Sequence, residues 1–146
     1  MKNPREYSGD ALPGRISLPR QDLFASDVGI ELLEVSQGYA RLKLELMEKH
    51  CNSFGTAHGG VIFTLADAAF AIAANSHGTV AMAINVSISY LKAVSQGTLY
   101  AEAKELSLNP KLGTYEVAVT TADGERIATF HGMTYRKKDP IPLGED

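Results

Sequence analysis

The sequence predicts an α+β domain in which an antiparallel sheet wraps around one long central helix. Three observations lead there. The stretch from Asn52 to Gly78, NSFGTAHGGVIFTLADAAFAIAANSHG, is apolar from Val61 to Ala74 with only Thr64 and Asp67 interrupting. A helix apolar around its whole circumference has to be wrapped on every side, because a surface helix shows a polar face. Flanking runs alternate apolar and polar residues, as strands do when one face meets a core and the other meets water. No second helical pattern follows Gly78, so the order reads two strands, the helix, then four antiparallel strands.

A chain of 146 residues makes one domain with a sizeable core. The net charge of -3 offers no footprint for nucleic acid or an anionic membrane surface, and neither is expected as a partner. The single Cys51 excludes an intrachain disulfide and fits a reducing compartment; without a neighbouring base its thiol reads as packing. The polar start, MKNPREYSGD, lacks the apolar centre of a secretion signal, so a cytoplasmic protein is expected. The apolar run from Val61 to Ala74 is short for a membrane span and carries a carboxylate.

Taken in order, residues 1–19 hold Pro4, Pro13 and Gly14 without periodicity and read as an N-terminal arm. The domain is expected over 20–138, with 139–146 as a C-terminal tail. Arg20 to Asp27 suits a short helix with Leu23 and Phe24 packing inward and Gly29 ending it. Two strands follow, Ile30 to Val35 and Tyr39 to Met47, around the turn Ser36-Gln37-Gly38; the second sets Ala40, Leu42, Leu44 and Leu46 against Arg41, Lys43 and Glu45. Beyond the helix, Val80 to Leu91 puts Met82, Ile84, Val86, Ile88 and Tyr90 on one face. Ala83, Asn85, Ser87 and Ser89 form the other, which is small and polar enough to line a cleft. Strands over Thr98 to Leu108, Thr114 to Thr121 and Arg126 to Arg136 complete the chain, the last pair joined at the hairpin signal Asp123-Gly124.

The helix carries two features that a core helix does not need. At its head, His58-Gly59-Gly60 leaves the first amide groups without intrahelical partners, an arrangement suited to an anion or a developing oxyanion. Farther on, Asp67 lies among Leu65, Ala66, Ala68, Ala69 and Phe70, where an unpaired charge costs several kcal/mol. Gly59 and Asp67 are eight residues apart, roughly 12 Å along one helix and turned by about 80°. If they cooperate, the carboxylate must come from a second copy of the chain, in a two-fold dimer with two equivalent sites. Plainer readings stand beside these: Asp67 as a buried structural carboxylate, His58 as a helix cap, Asn52 as a turn residue. Thr64 can bond either Asp67 or its own backbone.

The pattern N-x-x-G-x-x-H-G-G-x-x-x-x-L-A-D, here Asn52, Gly55, His58, Gly59, Gly60, Leu65, Ala66 and Asp67, resembles the signature of the hot-dog fold thioesterases, in particular the PaaI-type (phenylacetyl-CoA thioesterase-like) branch. The likeness continues through Ala69-Phe70-Ala71 and Asn75-Ser76-x-Gly78. The resemblance implies a hot-dog domain that pairs edge to edge into a dimer or a dimer of dimers, acting on acyl-CoA with no resident cofactor and no metal. It also implies that the Gly59 amide polarises the thioester carbonyl while the partner's Asp67 attacks or activates water, with Asn52 and His58 orienting the reacting groups. Gly60 and Thr64, with Lys92 and Arg136, are the residues expected to hold the CoA-bearing substrate. Some relatives carry a Ser or Thr on the strand after the helix, where this chain has Ala83. For Asp67 the neighbouring helix start is expected to outweigh burial and keep the carboxylate ionised. The alternative on the same fold is a non-catalytic acyl-CoA binding or sensor protein, which has no use for Asp67. A hydratase would need a His paired with an acid in a pattern this sequence does not contain.

Overall fold

The computed structural model of the protein describes residues 21–142; the expected arm, residues 1–19, and residues 143–146 of the expected tail lie outside them. Helix α1 (Leu23–Val28) leads into strands β1 (Glu31–Ser36) and β2 (Tyr39–Glu45). The long helix α2 (Gly59–Ala74) follows, then β3 (Thr79–Tyr90), β4 (Thr98–Leu108), β5 (Leu112–Thr121) and β6 (Arg126–Pro140). All pairs are antiparallel, in the order β1-β2-β4-β5-β6-β3, so β1 and β3 are the two edges.

Side-chain alternation sets the sheet around the helix. Ala40, Leu42 and Leu44 of β2 are buried, as are Leu99, Ala101 and Ala103 of β4, Tyr115, Val117 and Val119 of β5, and Ala128 and Phe130 of β6. They pack on Leu65, Ala66, Ala69, Phe70 and Ala73, where the many alanines let the sheet approach closely. The centre is aromatic: the Phe70 ring lies 5.6 Å from that of Tyr115 and 5.5 Å from that of Phe130, and Phe63 meets Phe130 at 5.6 Å. Gly132 makes this fit possible, since a Cβ there would stand 2.6 Å from Phe70 Cζ.

Turn chemistry fixes the connections. Asn109 Oδ1 accepts from the amides of Lys111 and Leu112, which starts β5 at Leu112 rather than Thr114. The Gly38 amide donates to Ser76 Oγ (2.8 Å), whose hydroxyl donates to Ala73 O (2.7 Å), tying the β1–β2 turn to the end of α2. The final strand runs past Arg136 to Pro140, and the amide of the buried Ile141 donates to Gly78 O.

Several expectations need correction. α1 begins at Leu23, capped by Asp22, and turns Ala25 inward; Leu23 and Phe24 are exposed, because a six-residue helix offers the core only one small contact. The helix α2 is not wrapped on every side of the single chain. Gly60, Thr64, Asp67 and Ala71, spaced at 4, 3 and 4 residues and so aligned on one face, stay open or half-open. With the following turn the helical stretch Gly59–His77 reaches 19 residues, long and apolar enough by length and composition to cross a membrane. Its length therefore excludes nothing, and its packing inside the sheet accounts for its apolar residues. Finally, the β3–β6 register slips between Ala83 and Asn85. The extra residue moves Ala83 to the inward face with Ala81 and turns Met82 to the outer face with Asn85, whereas Val86, Ile88 and Tyr90 keep the expected inward face.

Candidate active site

The segment before α2 is held as a rigid approach to the helix. The His50 ring, buried, accepts the Met47 amide at Nδ1 (2.9 Å) and through Nε2 donates to Val28 O (2.6 Å), while its carbonyl accepts the His58 amide (2.8 Å). Asn52 closes the loop on itself. Its Oδ1 accepts from the amides of Phe54 (2.9 Å) and Thr56 (3.2 Å), and its Nδ2 donates to Thr56 Oγ1 (3.0 Å). In the single chain its side chain therefore shapes the turn. Among the described residues, Cys51 Sγ hydrogen-bonds only to the carbonyls of Met47 and Ser95.

At the helix head the two glycine amides differ. His58 is the N-cap, and its Nδ1 accepts the Gly60 amide at 2.9 Å. The expectation that both amides stand open therefore fails for Gly60, whose proton is taken by the preceding ring. The Gly59 N–H, by contrast, makes no hydrogen bond among the described residues. It is the one donor at the helix start left for a ligand. Tyr90, at the end of β3, donates its hydroxyl to Gly59 O (2.8 Å), and its ring stands 3.2 Å from where a Gly59 Cβ would be. The sequence put Tyr90 on the inward face without giving it a role; the available signal was a hydroxyl on that face, which needs a partner.

Asp67 lies two turns along the same unbroken helix, on the open face and only half-buried. Its pKa is raised, first by burial and then by the like charge of Asp22 at the start of α1. The expected dominance of a helix start thus does not hold within one chain, where the carboxylate lies far down α2 from that helix's own amide end. Thr64 settles on its own backbone, donating to Gly60 O at 2.7 Å.

The cationic candidates separate. Lys92, two residues past Tyr90, stays on this side of the molecule but pairs with Glu125 at 2.6 Å. Arg136 donates to Asn109 O (2.7 Å) and lies across from Ala81. That is eight residues along β6 from Ala128, the partner of Tyr90, or roughly 26 Å at strand rise. One chain does not bring Arg136 to its own Gly59. Among the described residues no three His, Cys, Asp or Glu side chains converge as a metal site would require.

The sequence profile of the Thioesterase superfamily matches residues 54–128, the stretch that holds the helix head, Asp67 and Tyr90. The chain belongs to this superfamily. As a thioesterase it shares 45% identity over 112 residues with a protein named as an esterase in Archaeoglobus fulgidus, covering 76% of this chain and 73% of the relative. It shares 31% identity over 116 residues with the acyl-coenzyme A thioesterase PaaI of Escherichia coli, covering 79% and 83%. The solved structure of that PaaI protein, from the phenylacetic acid degradation operon, superposes with a TM-score of 0.80 at 29% identity over 84% of this chain and 89% of the other. A Streptococcus mutans protein solved with acetyl CoA bound superposes at 0.73 with 25% identity, covering 77% and 91%. The six-stranded antiparallel sheet around one long helix is the hot-dog fold, and this thioesterase is a thioester hydrolase of the PaaI type.

Proposed function

We propose that the protein is an acyl-CoA thioesterase that splits an aryl-acetyl or medium-chain acyl-CoA into the free acid and CoA, at a site shared by two chains. The observation that carries this reading is the separation of an unpartnered Gly59 amide from a half-buried Asp67 on one continuous helix. The amide receives the carbonyl oxygen of the thioester, where negative charge develops as the tetrahedral intermediate forms. The partner's carboxylate then either attacks the carbonyl carbon or takes a proton from the attacking water. In both courses the C–S bond breaks, CoA leaves as the thiolate and takes up a proton, and water supplies the new acid oxygen.

The partner copy is supplied by the β3 edge. Met82 and Ile84 are about half exposed on it, and although Asn75 takes the Ala81 amide and carbonyl, the rest of this apolar edge strand is suited to pairing with a second copy. Two such dimers make the tetramer. Coenzyme A arrives as part of the substrate, a reading supported by the acetyl CoA bound to the Streptococcus mutans protein, and no resident cofactor is needed. With a reduced Cys51 and a net charge of -3, the protein works in the cytoplasm without nucleic acid or membrane as partner. A non-catalytic acyl-CoA sensor on this fold would have no use for a carboxylate kept half-buried at a cost.

The test is thiol release from phenylacetyl-CoA and from octanoyl-CoA by the wild type and by Asp67→Asn. Turnover that falls by about a hundredfold or more in the variant is expected. Equal rates would remove Asp67 from the chemistry, and no release from either substrate would favour the sensor.

A further inference from the structure

We propose that Tyr90 is a positioning residue for the reaction: its hydroxyl and ring hold the Gly59 amide in the direction the substrate oxygen requires. The inference rests on the thioesterase reading and deepens it.

Two peptide units meet at the Gly59 Cα. The first carries the Gly59 N–H, and its carbonyl, His58 O, accepts from Val61 N (2.9 Å) and Ile62 N (3.2 Å). In the second, the Gly60 N–H donates to His58 Nδ1 and the carbonyl, Gly59 O, accepts from Tyr90. Three of these ties lie within residues 58–62 and move with the first turn as a unit. Among the described residues, only the Tyr90 bond anchors these two peptides to the sheet.

That tie matters because Gly59 lacks the side chain that restrains other residues. An alanine would be stiffer, but the Tyr90 ring and hydroxyl both stand 3.2 Å from the place its Cβ would take. Glycine and tyrosine are thus one arrangement. The phenol fills the space a side chain would use and restores the restraint from outside. Burial does not explain the residue, since Tyr90 is 51% exposed. Its hydroxyl also polarises the Gly59–Gly60 peptide, whose N–H donates to His58 Nδ1 and so holds the cap in place.

Tyr90→Phe keeps the ring and removes only the bond. Thiol release from phenylacetyl-CoA is expected to show kcat lowered about tenfold with KM within about twofold, the split that marks an interaction realised in the transition state. The melting temperature should stay close to that of the wild type. An unchanged kcat, or a fall explained by loss of folded protein, overturns the assignment. A second measurement needs no turnover. The stability cost of Gly59→Ala should be smaller in a Tyr90→Ala background than in the wild type, and additive costs overturn the contact. A wild type that releases no thiol from phenylacetyl-CoA or octanoyl-CoA overturns the thioesterase reading and the kinetic role with it, while this cycle still decides whether phenol and glycine are coupled.

Discussion

At the scale of single residues, Asp67 is where stability and the proposed chemistry oppose each other. Burial and the charge of Asp22 raise its pKa above the ordinary 3.8. An acid whose pKa is higher in the folded state binds more protons folded than unfolded. Stability is then full below 3.8, is lost as pH rises through the folded value, and stays lost at every higher pH. In the proposed site the reacting carbon has to fit between this carboxylate and the partner's amide, so the two would not touch in the free enzyme and burial would dominate. Asp67→Asn is therefore expected to melt at a higher temperature than the wild type at neutral pH while losing turnover, with the gain vanishing in melts below about pH 3.8. A variant less stable at neutral pH would show that the carboxylate is paired in the assembled protein. This tension was legible from sequence, because a charge inside an apolar run contradicts its surroundings wherever the run lies. Asn52 and Tyr90 were not legible in the same way. Asn52 spends its side chain on Phe54 and Thr56, and Tyr90 acts on a residue 31 positions away; both roles depend on what folds against them.

At the scale of elements, α2 and β6 lock through one pair. The Phe70 ring sits on Gly132 with Tyr115 and Phe130 on its flanks, and a Cβ at position 132 would meet three of its atoms within 3.0 Å. Phe70 is fully buried and cannot give way. Gly132→Ala is expected to cost about 1–3 kcal/mol, read as a lower urea midpoint at unchanged slope. The cost should shrink when Phe70→Leu is added; a neutral Gly132→Ala would mean the helix shifts freely over the strand. The long helix and the β2 alternation could be read in advance because each needs only its own period. In β3 one additional residue near Ile84 reverses the phase on one side of it, and nothing in the even alternation of the run marks where the slip falls. The open stripe on α2 was hidden for a related reason: an apolar circumference says that every side is covered, but not that a sheet of this chain covers each of them.

At the scale of the whole molecule, the proposed shared site has a consequence that no single-chain site can imitate. In the proposed arrangement each catalytic centre takes Gly59 from one protomer and Asp67 from its partner. A protomer with an obstructed helix head, Gly59→Val, and a protomer with Asp67→Asn are each inactive as homodimers, because every centre contains one lesion. Denatured together and refolded, half of the dimers are hybrids. In each hybrid one centre gathers both lesions and the other gathers none, so the mixture should recover about a quarter of the wild-type rate. If Gly59 and Asp67 of the same chain worked together, every centre in the hybrid would keep one lesion and the mixture would stay inactive. The exposed Met82 and Ile84 on the β3 edge give the companion test. Lysine at both positions should suppress pairing by charge and desolvation, leaving a protein that sediments as a smaller species and turns over no thioester. A monomer with full activity would show that the carboxylate and the amide never needed a second chain.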